Sequence, residues 1–405
     1  MALAIGFCYS CLIMIKFRRI RVALAIRQTG SAAGAAERLH LSQPSVTEAI
    51  GRLEAELDTP LFERSSKGMR PTPEGEVFCA RSAEAFEILT ETAGQCAKGT
   101  QLSPVWPRQV NELHLRTVIA LSRTGRFNLA AQSLNMAAAA VHRAAREMET
   151  LSGLSLWRRT PYGVALTPVG EAVSRASALT LRGLELAREA MMEKKGVFDG
   201  QLRIGVLPLA RAIWAPTAIA DIISAYPSAR IKVTDGSYAE LRHGLIDGEV
   251  DMVIGALRPE KDTTDIVQYP LFSDPLSIIA RSGHPLAGRR TVTPELLRTL
   301  TWALPRPDTP ARQMFDAFFA RHNLSAPRET VECGSLAALR GLLSLTDIVT
   351  PLSPRQVSFE LEAGSLVVIG APLDGTERTI GMAERKHFRP TQLYNAFKAA
   401  LVRAA

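Results

Sequence analysis

Between Thr29 and Gly75 apolar positions recur with helical spacing in two short bursts separated by a corner. Ala35, Ala36 and Leu39 make the first, with Ser31 placed to cap it, and Leu41 marks a turn too short for anything but a sharp bend. Val46, Ile50, Leu53 and Leu57 recur at i, i+4, i+7 and i+11 and make the second. Ser42 is its natural N-cap, and Pro44 falls in the first turn, where a missing N–H costs nothing. The stripe turns inward and leaves the helix start, with Gln43, Ser45, Thr47 and Glu48, and Arg52 one turn on, open to a partner. Two packed helices with such a start can set side chains against base edges in a major groove. A hairpin in a bundle core would show the same stripe, but the tail LFERSSKGMRPTPEG adds Arg64, Lys67 and Arg70 around Gly68, where a wing would meet phosphates.

The pattern then recurs. A helical segment starts at Thr72 and Pro73 and ends at Gly99, and Pro104 and Pro107 mark a linker. A shift of 95 residues then aligns Thr29-Gly30 with Thr124-Gly125, Ala35-Ala36 with Ala130-Ala131, Leu39 with Leu134 and Val46 with Val141. It also carries Glu54 to Glu149, Leu61 to Leu156, Arg64 to Arg159, Gly68 to Gly163, Thr72 to Thr167 and Gly75 to Gly170. One ungapped offset implies duplication of the whole unit. The copies differ at the helix start. Ser42, Gln43 and Pro44 become Ala137, Ala138 and Ala139, which removes the cap and the amide able to bond adenine in bidentate fashion. Thr47 becomes His142 and Glu48 becomes Arg143, and with Arg146, Arg158 and Arg159 the second copy stays strongly basic. Base reading is therefore expected mainly from the first copy, and backbone contact from both. A long helix from Pro168 to Lys195 follows, with Val169, Val173, Ala176, Leu179, Leu184, Leu186 and Met191 giving it a broad apolar side.

From Gly200 short apolar strands alternate with helices. QLRIGVL, ARIKVTDG and VDMVIGAL, with helices between them, read as a parallel sheet built from right-handed crossovers. A second lobe is expected from near Leu271, carrying LSIIAR, LTWALP, ETVECG and DIVTPLS as strands, before SLVVIG and TIGMAERK return. In such sheets ligands bind beyond the carboxyl ends of strands, against helix N-termini. That rule selects Leu207, Pro208, Leu209, Gly236 and Ser237 in one lobe and Arg306, Thr309, Arg312, Ser335 and Thr350 in the other. Each alone is better explained by a cap or a turn, and the set around one cleft is the candidate. Arg306 and Arg312 suit an anionic ligand.

Charge adds one refinement. The formal net charge of +8 over 405 residues is unevenly placed: residues 16–98 hold 12 basic and 11 acidic side chains, 108–195 hold 13 and 7, and 199–405 hold 23 and 22. The run Lys16, Arg18, Arg19, Arg21, Arg27 has no acidic residue within it and suggests phosphate contact. Five cysteines (Cys8, Cys11, Cys79, Cys96, Cys333) make no disulfide framework and point to a reducing compartment, and the lone C-x-x-C at Cys8 and Cys11 lacks the second pair a zinc site needs. The apolar opening MALAIGFCYSCLIMI has its positive charge on the wrong side for a signal peptide and is short for a membrane span. It is expected to be an extra helical turn, or to precede a start at Met14. No G-x-S-x-G, G-x-x-x-x-G-K-[ST] or H-E-x-x-H occurs, and the histidines are scattered, so neither catalysis nor a cofactor or metal is expected.

The segment from about Phe17 to Gly75 resembles the winged helix-turn-helix of LysR-type transcriptional regulators, with AAERLHLSQPSVTEAIGRLEAEL and PLFERSSKGMRPTPEG following that family's pattern. Residues from Gly200 on resemble its effector domain, a two-lobed relative of periplasmic solute-binding proteins, and the helix from Pro168 resembles its dimerising linker helix. Glu48 departs from the family, whose members often carry a basic or polar residue there. It either accepts from a cytosine amino group or repels phosphate. The resulting expectation is a multidomain chain: winged helix-turn-helix units at 16–75 and, degenerate, at 108–170, helix and linker at 76–107, a linker helix at 171–198, and a two-lobed α/β effector domain at 199–405 with crossovers near 268 and 372. The resemblance implies a cytoplasmic homodimer or homotetramer that binds double-stranded promoter DNA and a small-molecule effector, with no membrane partner. The rival expectation is a solute-binding or scaffold protein whose helical units contact only protein.

Overall fold

The computed structural model describes residues 15–66, 68–95, 102–258 and 265–405. The chain divides into two compact units that meet in sequence at Gly200. The expectations for the first fourteen residues, for the Cys8–Cys11 pair and for Lys67 fall outside the described residues.

The first unit opens with α1 (Phe17–Thr29), α2 (Ala32–Leu39), α3 (Gln43–Leu57), a hairpin of β1 (Phe62–Ser65) and β2 (Gly68–Pro71), and α4 (Pro73–Gln95). After α5 (Trp106–Gln109) the same order returns as α6 (Glu112–Thr124), α7 (Phe127–Ser133), α8 (Ala138–Ser152), β3 (Trp157–Thr160), β4 (Gly163–Leu166) and α9 (Pro168–Lys194). The local rules act as the sequence predicts. Ser31 Oγ accepts from Gly34 N, Ser42 Oγ accepts from Ser45 N, and Val46, Ile50, Leu53 and Leu57 are all buried.

Residues shared between the copies make the same bonds in each. Glu54 accepts from Leu61 N at 2.7 Å, and Glu149 accepts from Leu156 N at 2.8 Å, pinning the end of the reading helix to the wing. Thr72 Oγ1 donates to Pro60 O and accepts from Gly75 N, as Thr167 does with Ser155 O and Gly170 N. Met69 N and Val164 N each donate at 2.8 Å to the carbonyl of a left-handed glycine, Gly30 and Gly125. The wing thus folds back on the first turn, and Gly68 and Gly163 sit where a Cβ would overlap those carbonyls.

The second unit holds a five-stranded sheet in the order β6-β5-β7-β14-β8, from β5 (Gln201–Val206), β6 (Arg230–Asp235), β7 (Met252–Ala256), β8 (Ile266–Asp274) and β14 (Arg378–Arg385). Helices α10 (Trp214–Ala225) and α11 (Tyr238–Ile246) connect its first three strands. β6, β5, β7 and β8 run in one direction and β14, antiparallel to both of its neighbours, alone opposes them, so the sheet is mixed rather than all-parallel. Edge strand β8 tolerates Pro270 beside a bulge, where the register slips between Ile380 and Gly381. The second lobe contains β9 (Ser277–Arg281), α12 (Pro294–Arg298), β10 (Ala303–Leu304), α13 (Pro310–Arg321), β11 (Val331–Glu332), α14 (Leu336–Leu345), β12 (Thr350–Leu352), α15 (Ser358–Glu362) and β13 (Leu366–Ile369), and α16 (Gln392–Arg403) closes the chain. The chain leaves the first sheet after Asp274 and re-enters it at Arg378, a little later than the expected 268 and 372. At that junction Asp274 and Arg378 form a buried ion pair, and Ser353 Oγ donates to Asp274 Oδ1 at 2.6 Å.

A Cβ on Gly75 would overlap the Leu61 carbonyl oxygen, whereas one on Gly51, on the exposed side of α3, meets nothing within 4 Å. Gly75→Ala should therefore destabilise the first unit by about 2–3 kcal/mol. Gly51→Ala should stabilise it by about 0.5–1 kcal/mol, both read from urea unfolding.

Candidate nucleic-acid interface and effector site

The start of α3 is held rigidly. Ser42 Oγ lies 2.8 Å from Ser45 Oγ as well as capping Ser45 N, so both serines serve the helix terminus. Gln43, Pro44 and Thr47 are exposed beside them, and Gln43 and Thr47 are the free hydrogen-bonding side chains of the set. Glu48 and Arg52 pair one turn apart on the same exposed face. This partly quenches the carboxylate and binds an arginine that was expected to meet DNA directly. Arg64 and Arg70 stand exposed on the wing, on β1 and β2.

The basic run of α1 is used differently from the expectation. Arg19 pairs with Glu56, and Arg27 Nε donates to Glu76 at 2.9 Å, which holds the Glu76 carboxyl below its ordinary range. Arg21, half-buried, lies between the rings of Phe17 and Phe86 and donates to Pro107 O and Val110 O; desolvation brings its pKa down to about 10. These three guanidinium groups build the unit, and Lys16 and Arg18 alone of the run stay exposed. Cys79 is a buried, free thiol that burial pushes up to about 12, far from reactivity.

On the second copy Ala137 has the extended backbone of a cap but no side chain to accept with. His142 stacks on Phe127 with ring centroids 3.9 Å apart, so its ring is braced against α7. Arg143, Arg146, Arg158 and Arg159 are exposed. His142, Arg143 and Arg146, with His114, Ala139 and Glu147, line a shallow depression of about 750 Å³ along α8.

In the second unit the predicted ligand residues split into scaffold and surface. Leu207 and Leu209 are buried, with Leu207 N bonded to Ile254 O, and only Pro208 between them faces out. Thr309 and Ser335 cap α13 and α14, and Thr350 is buried in β12 opposite Ile279. Arg312 pairs with Asp316 and Glu329, and its Nη1 is buried with no hydrogen-bond partner among the described residues. Ser237, next to Gly236, accepts from Glu240 N while its own N–H and hydroxyl donate to the Glu240 carboxylate at 2.8 Å. Those bonds, with Arg306 nearby adding its charge, hold the Glu240 carboxyl below the usual range.

That last relation shows what is brought together. Arg306 lies within electrostatic reach of Glu240 in the first turn of α11 and 3.6 Å from Asp308. Arg258 joins them, its guanidinium 4.5 Å from the Tyr238 ring centre and within electrostatic reach of Asp308, with burial lowering its pKa. Arg258, Tyr238 and Glu240 were absent from the sequence-derived set. Arg258 directly follows β7, so the carboxyl-end rule that picked Pro208 and Ser237 could have found it.

Two family models match these units. The bacterial regulatory helix-turn-helix model of the lysR family covers residues 17–76 and again 113–171, and the LysR substrate binding domain model covers residues 195–405. The chain belongs to the LysR family. The HTH-type transcriptional regulator GalR of Pseudomonas putida is 33% identical over 369 residues, 91% of each chain, which leaves too few residues aside to omit either winged unit. The SDS degradation transcriptional activation protein of a Pseudomonas species is 28% identical over 64% of this chain and 85% of its own. Among solved structures, full-length OxyR C199D from Pseudomonas aeruginosa aligns with a TM-score of 0.53 at 21% identity, over 73% of this chain and 94% of that one. CbnR, a LysR family transcriptional regulator, aligns with a TM-score of 0.50 at 18% identity, over 73% and 99%. Both share the fold. This LysR-family chain is a DNA-binding transcriptional regulator with a C-terminal effector-sensing domain.

Because Ala137 already has cap-ready φ and ψ, as Ser42 does, Ala137→Ser should stabilise the second copy by about 1 kcal/mol. Ser42→Ala should cost the first a similar amount, both measured by chemical denaturation.

Proposed function

We propose that the chain is a cytoplasmic regulator in which a duplicated winged helix-turn-helix holds promoter DNA and a two-lobed, periplasmic-binding-protein-like domain senses a small metabolite. The observation that carries the DNA half is the exposed start of α3, where Gln43 and Thr47 stand beside a terminus capped by Ser42 above a buried stripe. Gln43 has the bidentate amide that suits adenine, and Thr47 offers a hydroxyl and a methyl. Arg64, Arg70, Arg143, Arg146, Arg158 and Arg159 supply phosphate contacts, with His142 as a minor backbone contact. Ser42, Pro44 and Ser45 shape the terminus, and Glu48 with Arg52 tunes its charge.

The effector would lie against the polar cluster of Ser237, Tyr238, Glu240, Arg258 and Arg306. Two guanidinium groups beside the Glu240 and Asp308 carboxylates suit a hydroxylated small molecule that also carries a negative charge. Such a ligand would bias the two lobes toward one arrangement, the kind of shift that an oligomeric regulator transmits to its DNA heads.

With a promoter fragment and the full chain, a gel shift should show affinity falling about 10³-fold between about 50 and 200 mM salt if these arginines each neutralise a phosphate. Gln43→Ala with Thr47→Ala should flatten sequence preference while leaving nonspecific binding in place; unchanged preference would remove the first copy as the reader. In a metabolite thermal-shift screen, Arg258→Ala and Arg306→Ala should each abolish the stabilisation given by the active compound, whereas Arg312→Ala should leave it intact.

A further inference from the structure

We infer that residues 16–195 form a complete two-headed DNA-binding body inside one chain, so that a single chain occupies both halves of an imperfect inverted repeat. This rests on the DNA-binding reading above and adds who contributes the second head.

The first observation is a contact between equivalent residues. The repeat offset is 95, and Phe17 N donates to Glu112 Oε2 at 3.2 Å, a pair separated by that offset. A twofold relation between the copies brings a residue against its own counterpart where the axis passes, and this contact has that form.

The second is the pairing of α4 with α9. The early part of α4, at Phe78 and Cys79, packs with the late part of α9, at Ala187 and Met191. The late part of α4, at Leu89 and Ala93, packs with the early part of α9, at Val173 and Ala176. The helices are therefore antiparallel. They pass close together at Gly183, where a Cβ would lie 2.8 Å from the Cβ of Ala85. Under the offset these positions become Ile88 and Thr180, less than one helical turn away on the same two helices, so the crossing maps onto itself.

Third, each head completes the other's core. Ala187 and Met191 of α9 lie in the cluster of the first copy, while Leu89 and Ala93 of α4, and Phe17 of α1, lie in the cluster of the second. The apolar side of α9, which would dock a second chain in a conventional dimer, is already covered from within.

The pairing is also unequal. Two first copies would face Phe17 to Phe17, with no carboxylate to accept the amide, and two second copies would face Glu112 to Glu112. One of each satisfies the contact. The heads differ likewise, as Ser42, Gln43 and Thr47 face one half-site and Ala137, Ala138 and His142 the other. The expected operator is lopsided, one half read by base edges and the other held mainly by Arg143, Arg146, Arg158 and Arg159.

The experiment uses the full chain and a duplex that it selects from a random pool. Titration at concentrations far above Kd should reach equivalence at one chain per inverted repeat, and footprints should cover both halves. Gln43→Ala with Thr47→Ala should relax base preference about tenfold or more in one half only. Two chains per repeat, or equal relaxation in both halves, would overturn the inference while leaving DNA binding standing. A chain that protects neither half would remove both readings. A measurement without DNA guards against a swap between chains. Lys195 Nζ donates to the Asp58 backbone carbonyl and to Thr59 Oγ1 at 3.0 Å, and both Lys195 and Asp58 are exposed, so a short bis-maleimide should join Lys195→Cys to Asp58→Cys. In a mixture of heavy-isotope and ordinary chains these links should all be isotopically pure, and mixed links would show that the heads pair between chains.

Discussion

The close crossing of α4 and α9 at Ala85 and Gly183 is the constraint on which the first unit depends. Helix axes approach this nearly only where one side chain is missing, and a glycine in mid-helix costs about 1 kcal/mol of intrinsic helix stability. Packing recovers that cost on both sides of the crossing, where Phe86 and Leu184 each border both cores. Each winged copy's core is extended by side chains from the other copy's long helix. The spacing and orientation of α3 and α8 are therefore properties of the helix pair, fixed by the same side chains that stabilise the fold.

Much of this was legible in the residues, for a physical reason. Ser31, Ser42, Glu54, Thr72 and Gly75 act through local geometry, through caps, a carboxylate tied to the wing and a close carbonyl, and local geometry leaves a mark in sequence. The repeat made them doubly visible, because the residues held in common are those that bond alike in both copies. What could not be read was partnership over distance. Arg19, Arg21 and Arg27 look like a phosphate-binding run until Glu56, Glu76 and the Pro107 and Val110 carbonyls are brought to them by tertiary packing. Periodicity likewise showed that α9 has an apolar side and could not say whose helix covers it.

The same limit governs the effector unit. Ser237, Thr309 and Ser335 were chosen by their place after strands, and that place is also where helix N-caps fall, so the rule selects caps as readily as ligand contacts. Arg258 was passed over although it obeys the rule, because a lone arginine after a strand carries no pattern. Strand β8 escaped for a related cause: Gln268, Tyr269 and Pro270 interrupt the apolar run of an edge strand, whose partner β14 lies more than a hundred residues away.

The crossing between the lobes suggests how a polar ligand could be felt across this second unit. Asp274 ends β8 and Arg378 begins β14, so their ion pair clasps the two points where the chain passes between lobes. The remaining Asp274 oxygen accepts from Ser353, which follows β12 of the second lobe. A buried pair of this kind adds little net stability over apolar packing, and its geometry is directional. Leu276 N reinforces the joint by donating to Thr376 Oγ1 at 3.0 Å, one strand crossing bonded to the other. A clasp that resists stretching but sits on short crossings permits the lobes to pivot rather than slide. Arg258 lies within electrostatic reach of Asp308 and Arg306 within reach of Glu240, so the ligand proposed above would touch both lobes on either side of this joint.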